Sequence, residues 1–499
     1  MMKSGIVVSI FSAIYRFYLN SFLCSCISAF LKVLPGSIIY KCLRRIFLCV
    51  ELRREDSVFY RILGKFSGSI FVFTKKIYNL SKTGVVYKGL KFLLAESIIF
   101  KAENFMFGGL FVIFICPHEM WNNAYGLIFA VVVSLMYLIS VAKGKKFGVC
   151  AHRIWLPFIL FIFAVVFSVV FSYAISDSIR VLMFFITSFI LCTVVYGMVY
   201  DREKFDKICG LILLSLVVTG IIAVVQKIVG VKVDHLLTDI KLNGDMGRVY
   251  STWANPNNYA EFLILFFPFC FAFAVTREEK QKRKIALFAL VIPFLALLFT
   301  YSRSGWLGFA VTAITFIALY NKKMLVPVIC IGVLMLPLLP SSVLNRIMTI
   351  GDLSDTSSSY RITIWTGAMK LISSLGYKGT GLGPESFKIW YSSFAEPMAK
   401  DAPHTHMLFM EVYAEMGLLG IITFAALILS LIGGSCKAAK RVKEGKLKLY
   451  TMAAASSMMG ILTIGFAEYV WFYPRVMFAF FVVIGLAMAA VKLANQEKN

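Results

Sequence analysis

The chain has 499 residues, of which 59% are hydrophobic, and its formal net charge is +25. Apolar runs of about 20 residues recur along it, which indicates a polytopic helical membrane protein and excludes a string of ordinary soluble domains. In a soluble protein the positive charge would favour nucleic-acid binding, but here Lys and Arg cluster in short segments between apolar runs. This is the pattern that orients membrane helices, so we expect no nucleic-acid partner.

Residues 1–99 are predicted to form a basic region on the cytoplasmic surface of the membrane. They are rich in aromatic and basic residues, but charges interrupt them too often for a membrane span. A degenerate unit recurs at 36–41, 56–61, 83–88 and 96–101, in which a capping residue precedes a short amphipathic helix. Such helices would lie in the headgroup layer of an anionic leaflet. The alternative is an arm that binds a partner protein.

Residues 100–499 are predicted to be an all-α transmembrane domain with about 12 helices. The candidate spans are 100–117, 122–142, 154–174, 178–199, 208–230, 257–276, 285–301, 304–320, 324–340, 407–436, 449–468 and 472–494. Segments rich in Lys and Arg follow every second span, so both termini and these segments should be cytoplasmic. Two long polar segments, about 231–256 and 341–405, then fall outside. The larger one lies between the ninth and tenth spans.

Cysteine and histidine spacing favours neither a disulfide framework nor a metal site. Nearly all the cysteines lie in apolar or basic stretches, and none lies in the two long polar segments. No His/Cys spacing is typical of zinc, and no Asp-rich cluster suits another metal. We also expect no cleavable signal peptide and no cofactor.

Two imidazoles, His404 and His406, stand where the larger polar segment meets the tenth span. A histidine titrates near neutral pH and can take a proton from a hydroxyl nucleophile, so His406 is the candidate base and His404 a supporting residue. The alternative for His406 is a helix cap bonded to a carbonyl group. Two acidic residues near the membrane, Glu261 and Glu415, could pair with arginine or orient the histidine. Asn258 is a further supporting candidate, although residues 255–258 could simply cap the sixth span.

Three arginines on the predicted outer side are candidate anion ligands. Arg248, Arg303 and Arg361 precede or join apolar spans, where an unpaired guanidinium is costly. A bound phosphate would satisfy them, since guanidinium groups grip phosphate oxygens bidentately. The alternatives are salt bridges with carboxylates on the same side for Arg248 and Arg361, and contact with lipid headgroups for Arg303.

The residues His406, Met410, Glu415, Gly417 and Gly420 resemble the signature of the O-antigen ligase and polymerase family, in which a His-Asn pair is followed by Leu, Glu, Gly and Gly. The segments around Arg248 and Arg303 are similar to other motifs of that family, and the resemblance covers roughly residues 100–494. One departure is Met407, which stands where the family has Asn. His404, the backbone or a different acceptor would have to compensate for the missing amide.

The resemblance implies a metal-independent membrane glycosyltransferase of the bacterial cytoplasmic membrane, with its active site on the outer face. The donor would be a polyprenyl-diphosphate-linked saccharide such as an undecaprenyl diphosphate. The acceptor would be a hydroxyl group of a glycan or of a lipid-linked glycan, so ligase and polymerase are both open. The N-terminal region favours a cell-wall polysaccharide or an exopolysaccharide as the product. The alternative function is a transporter or flippase of lipid-linked saccharides, which should show repeated or broken spans.

Overall fold

The computed structural model describes residues 101–142, 155–230, 247–335, 340–350, 356–442 and 445–497, with residue 337 and a few isolated positions between 69 and 79. All the regular secondary structure of these residues is helical, which confirms the predicted all-α class. The predicted surface region at 1–99 and most of the predicted outer segment at 231–256 lie outside the described residues. Both stay predictions.

The α-helices of the described residues follow one another along the chain with short connections. They are α1 (Ala102–Ile115), α2 (Asn123–Ala142), α3 (Trp155–Val170), α4 (Ile175–Met198), α5 (Arg202–Val229), α6 (Pro256–Val275), α7 (Lys280–Ala289), α8 (Val291–Phe299), α9 (Arg303–Tyr320), α10 (Leu325–Met335), α11 (Ser341–Met348), α12 (Thr356–Leu375), α13 (Pro384–Tyr391), α14 (Leu408–Arg441), α15 (Lys446–Ile464) and α16 (Pro474–Gln496).

Each predicted span corresponds to helix in the structure, and the seventh is divided between α7 and α8. Among the described residues, 8 helices are long and apolar enough to cross a membrane: α2, α4, α5, α6, α9, α14, α15 and α16. Two shorter apolar helices are α1 and α3. The chain is therefore a helical membrane protein, while the total of twelve spans stays a prediction.

The chain divides into two compact units. One comprises residues 1–77 and 317–339, and its described part is mainly the end of α9, a 3-10 turn at Lys322–Met324, and α10. The other comprises residues 78–316 and 340–499 and contains the remaining helices. All the residues discussed below belong to this second unit.

Helix α16 forms the core of the second unit. It is buried along its whole apolar length and packs against α4, α6, α14 and α15. Small residues allow these close approaches: a Cβ atom at Gly485 would lie 2.6 Å from the backbone oxygen of Cys192 in α4. Membrane helices lack a hydrophobic drive to associate, so such contacts between backbones carry much of the packing energy.

Polar contacts tie together each end of the second unit. At one end, Arg475 donates to the backbone oxygens of Cys116 and Thr252, both at 2.5 Å. At the other end, Asp206 accepts hydrogen bonds from Arg277 and from Tyr450, again at 2.5 Å. The first end gathers the predicted outer connections and the second gathers the predicted cytoplasmic ones. Which side of a membrane each end faces stays a prediction.

Helix α14 is broken at Gly417, where the backbone has φ 64° and ψ −160°. An extended piece of chain, 377–381, inserts at the break. The N–H groups of Thr380 and Gly381 donate to the oxygens of Ala414 (2.8 Å) and Glu415 (3.0 Å), and Leu418 N–H donates to Tyr377 (3.0 Å). A Cβ atom at Gly417 would lie 2.3 Å from the Tyr377 oxygen. Glycine is therefore required here for its positive φ and for the close approach.

Candidate active site

Six of the eight predicted site residues line one cavity of about 420 Å³ at the end of the unit that carries Arg475. We call it the central cavity. The six are Arg248, Arg361, His404, His406, Glu261 and Asn258. They come from stretches far apart in the chain, so the fold brings together motifs that the sequence could only place on one side.

The start of α6 forms one wall of the central cavity. The Asn255 side chain caps the helix by accepting from the N–H groups of Asn257 (2.9 Å) and Asn258 (3.0 Å), and Pro256 occupies the first turn. This cap directs Asn257, Asn258 and, one turn later, Glu261 toward the cavity. Arg248 secures the wall by donating to Asn257 Oδ1 and to the Thr300 backbone oxygen, each at 2.8 Å.

The histidine segment is held by backbone contacts on both sides of His406. Thr405 N–H donates to Glu411 Oε2 at 2.6 Å, and the Thr405 oxygen accepts from Trp365 Nε1 at 2.9 Å. Leu408 N–H donates to the Gly465 oxygen at 2.8 Å. His406 itself has φ 53°, a left-handed conformation that is uncommon for a residue other than glycine. The surrounding contacts therefore fix the position of this imidazole.

His404 is buried beside His406 and is held in the neutral form. Its Nδ1 accepts the His406 backbone N–H at 3.1 Å, so this nitrogen carries the lone pair. Burial, and then the charges of His406 and Arg361, lower the pKa of His404 well below its usual value. The His404 ring also lies against Phe472, with centroids 4.3 Å apart. The geometry makes it a support for His406 rather than an exposed residue of the connection.

Glu468, which lies between α15 and α16, joins the histidine to an arginine. Its Oε1 accepts from Arg361 Nη2 at 2.5 Å and from Asn257 Nδ2 at 2.7 Å, while Oε2 lies 3.7 Å from His406 Nδ1. Burial alone would raise the pKa of Glu468, but the charges of Arg361, His406 and Arg248 oppose it and hold the pKa below its usual range. The carboxylate is therefore ionised and faces the imidazole. Arg361 thus forms a salt bridge with a carboxylate, which was the alternative to phosphate binding that the sequence left open.

A second cavity of about 190 Å³ adjoins the central one and is lined by Arg248, Arg303, Arg346 and Arg361. We call it the arginine cavity. Arg303 Nη1 donates to the Thr349 backbone oxygen at 3.0 Å. Burial, and then the positive charge of Arg346, lower the pKa of Arg248 to about 10. Four guanidinium groups thus face one another with Glu468 as the one carboxylate among the described lining residues, an arrangement suited to an anion.

Arg346 and Glu468 are site residues that sequence reasoning did not select. Arg346 comes from the short amphipathic helix α11 and is 6% exposed, although Met348 in the same helix is 78% exposed. A charged residue on the apolar side of an amphipathic helix was the available signal. Glu468 stood only among many carboxylates on the predicted outer side, and nothing near it in sequence distinguishes it.

Glu415 lies behind the central cavity rather than in it. Its Oε1 accepts from Gly383 N–H at 2.8 Å, and its Oε2 accepts from Tyr469 Oη at 3.1 Å. Burial, and then the charge of Glu415, raise the pKa of Tyr469 well above its usual value, so the phenol stays a donor. Among the described residues, no arginine forms a hydrogen bond or salt bridge with Glu415. It supports the site by joining the break in α14 to Tyr469, which lines the central cavity.

Within the described residues, no group of three or more His, Cys, Asp or Glu side chains could hold a metal ion. Chemistry without a metal stays a prediction.

Residues 288–425 match the family model described as Wzy_C, O-antigen ligase. The matched segment carries Arg303, Arg346, Arg361, both cavity histidines and the helix break at Gly417. It confirms the resemblance to the O-antigen ligase and polymerase family and supports a polysaccharide ligase or polymerase role in general. No curated protein matches the chain.

Proposed function

We propose that the protein transfers a polyprenyl-diphosphate-linked saccharide onto an acceptor hydroxyl group at the outer face of the cytoplasmic membrane, a function that the match of residues 288–425 to the O-antigen ligase model supports. One observation carries the proposal: four arginines, and His406 beside the Glu468 carboxylate, line two adjoining cavities. Glycosyl transfer from a diphosphate needs both an anion site and a base.

The arginine cavity supports binding of the donor diphosphate. When the bond from the anomeric carbon to the phosphate oxygen breaks, its electron pair stays on the diphosphate, which leaves with more negative charge than it had. Arg248, Arg303, Arg346 and Arg361 would stabilise that charge without donating a proton. Glu468 holds Arg361 in place at 2.5 Å and offsets part of the positive charge of the arginine cavity.

His406 supports activation of the acceptor. With Nδ1 facing the Glu468 carboxylate, the proton resides on Nδ1 and the lone pair on Nε2. As the acceptor oxygen forms its bond to the anomeric carbon, Nε2 takes the hydroxyl proton, and Glu468 stabilises the resulting imidazolium. At 3.7 Å the His–Glu contact is slightly longer than a hydrogen bond, and apo sites often tighten when substrate binds. Arg361 is then a shared partner of donor and base.

Transfer by purified protein in nanodiscs tests the proposal. The donor is a polyprenyl-diphosphate saccharide, the acceptors are defined oligosaccharides and the donor itself, and product is measured by mass. We expect His406→Ala and Arg303→Ala to lower the rate by about 100-fold or more. The matched controls, His118→Ala at an exposed position and Arg283→Ala at a half-buried one, change residues outside the cavities and should match wild type.

The acceptor that reacts would separate a ligase from a polymerase. Normal rates in both site variants would refute the assigned site. If no acceptor reacts but labelled donor crosses the bilayer of a proteoliposome, the chain is a transporter of lipid-linked saccharide instead.

A further inference from the structure

A third cavity, of about 350 Å³, lies on the other side of Tyr469 and Phe472, which line both it and the central cavity. We call it the aromatic cavity. Asn123, at the start of α2, and Arg180, in the second turn of α4, also line it, so it opens at the same end of the unit as His406. Its volume is in the range of ligand pockets, about 300–1,000 Å³.

The aromatic cavity has the chemistry of a site for a neutral sugar. Phe184, Phe185 and Trp471 supply ring surfaces, and Arg180 and Glu415 supply polar groups. The apolar faces of sugar rings pack on aromatic rings while the hydroxyl groups bond to such polar groups. Trp471 is 4% exposed, and its Nε1 has no hydrogen-bond partner within the described residues, so the lining of this cavity includes a buried indole whose donor is unpaired there.

The charge of the aromatic cavity differs from that of the arginine cavity. Arg180 is paired with Asp177 at 2.5 Å, and Glu415 adds a carboxyl group, so no excess of positive charge is present. A second diphosphate would therefore find few partners here. The lining favours the uncharged, hydroxyl-rich part of a substrate.

The order of the three cavities indicates which substrate the aromatic cavity binds. The arginine and aromatic cavities share no lining residue, whereas the central cavity shares residues with each of them. In a single displacement the nucleophile attacks the face of the sugar opposite the leaving group. With the diphosphate among the arginines, the attacking hydroxyl must come from the aromatic side and pass His406.

We propose that the aromatic cavity is the acceptor subsite and binds a saccharide through Phe184, Trp471 and Arg180, with its reacting hydroxyl group directed past Tyr469 and Phe472 toward His406. This rests on the proposed glycosyl transfer. The acceptor is then a glycan rather than a protein side chain or water.

Steady-state kinetics with two matched pairs of variants test the proposal. Phe184→Leu and Arg180→Gln remove a ring face and a charge from the cavity. Their controls, Phe163→Leu at an exposed position and Arg283→Gln at a half-buried one, make the same changes away from the cavity. Initial rates in nanodiscs are measured while the polyprenyl-diphosphate donor and a soluble oligosaccharide, prepared from the surface polysaccharide of the source cells, are varied separately. We expect each cavity variant to raise the acceptor KM roughly tenfold and to leave the donor KM at the wild-type value.

The outcomes separate this proposal from the one on which it rests. An acceptor KM equal to wild type in both cavity variants, with normal turnover, overturns the subsite and leaves the glycosyl transfer intact. If wild type itself transfers nothing, the proposed function fails. Saturation-transfer NMR with the same oligosaccharide then decides the subsite without turnover: signals that weaken in Phe184→Leu but not in Phe163→Leu support it, and equal signals refute it.

Discussion

Glu468→Gln separates the two parts of the proposed chemistry, because this carboxylate touches both the arginine cluster and the histidine. Glutamine keeps the size of the side chain and can still accept from Arg361, but it removes the negative charge that lies 3.7 Å from His406 Nδ1. At about 4 Å and an effective dielectric constant of about 20, two unit charges interact by roughly 4 kcal/mol. Water in the open cavity recovers part of this, so we expect a cost of about 2–4 kcal/mol in the transition state.

That cost corresponds to a fall in kcat of about 30- to 1,000-fold. Donor binding should change in the opposite direction, since the variant loses the negative charge that opposes the arginines. The donor KM is therefore expected to fall or stay constant. A general loss of folding would not lower kcat while leaving the donor KM unchanged or lower.

The assay is the nanodisc transfer reaction, with Glu385→Gln as the control because Glu385 is an exposed carboxylate on α13. Thermal unfolding confirms that each variant is folded. A normal kcat in Glu468→Gln would refute the role of this carboxylate at the histidine. A raised donor KM with unchanged kcat would instead assign Glu468 to holding Arg361 alone.

Three further outcomes are expected. The pKa of His404 is lower in the folded chain than in the unfolded chain, so the unfolded chain takes up a proton first as pH falls. Wild type should therefore lose stability below about pH 6.5, by at most about 1.4 kcal/mol per pH unit. The difference between the unfolding temperatures at pH 7.5 and pH 5.5 should be smaller in His404→Asn than in wild type. An equal difference in the two proteins would contradict this reasoning. Gly417→Ala should lower the unfolding temperature, since a backbone with φ 64° and ψ −160° is essentially restricted to glycine and costs another residue about 1–3 kcal/mol. The new Cβ would also meet a backbone oxygen, whereas Gly433→Ala in the same helix has open space and should leave the unfolding temperature unchanged. Arg346→Gln should weaken binding of polyprenyl diphosphate by about 10- to 100-fold relative to Arg283→Gln, and unchanged binding would remove Arg346 from the anion site.

The parts of the site that sequence predicted are those with a local physical signal. An Asn before Pro at the start of an apolar run predicts a capped helix, and the Asn255 cap is present. Arginines next to spans predict an anion or an ion pair, and Arg361 has both an acidic partner and a place in the arginine cavity. The eight long apolar helices found among the described residues follow from hydrophobic runs alone.

The parts that sequence did not predict depend on tertiary contacts. The run after Leu408 looks like one continuous helix, and only the insertion of 377–381 breaks it at Gly417. The pairing of Arg361 with Glu468 spans 107 positions, so neither residue indicates the other. Glu415 was expected to pair with arginine or orient the histidine, but its partners are a backbone N–H and Tyr469.

The position of Glu468 in the last connection of the chain bears on how the protein is made. Asn257 and Glu468 are 211 positions apart, which at roughly 5–20 residues per second corresponds to about 10–40 s of synthesis. Once Arg361 has been made, the nascent chain carries all four cavity arginines but must grow by another 107 positions before it has the carboxylate of Glu468, and then Tyr469 and Phe472. The proposed transfer should therefore begin only when the final pair of helices enters the membrane, and a chain that stops before α16 would accumulate without consuming the proposed lipid-linked donor.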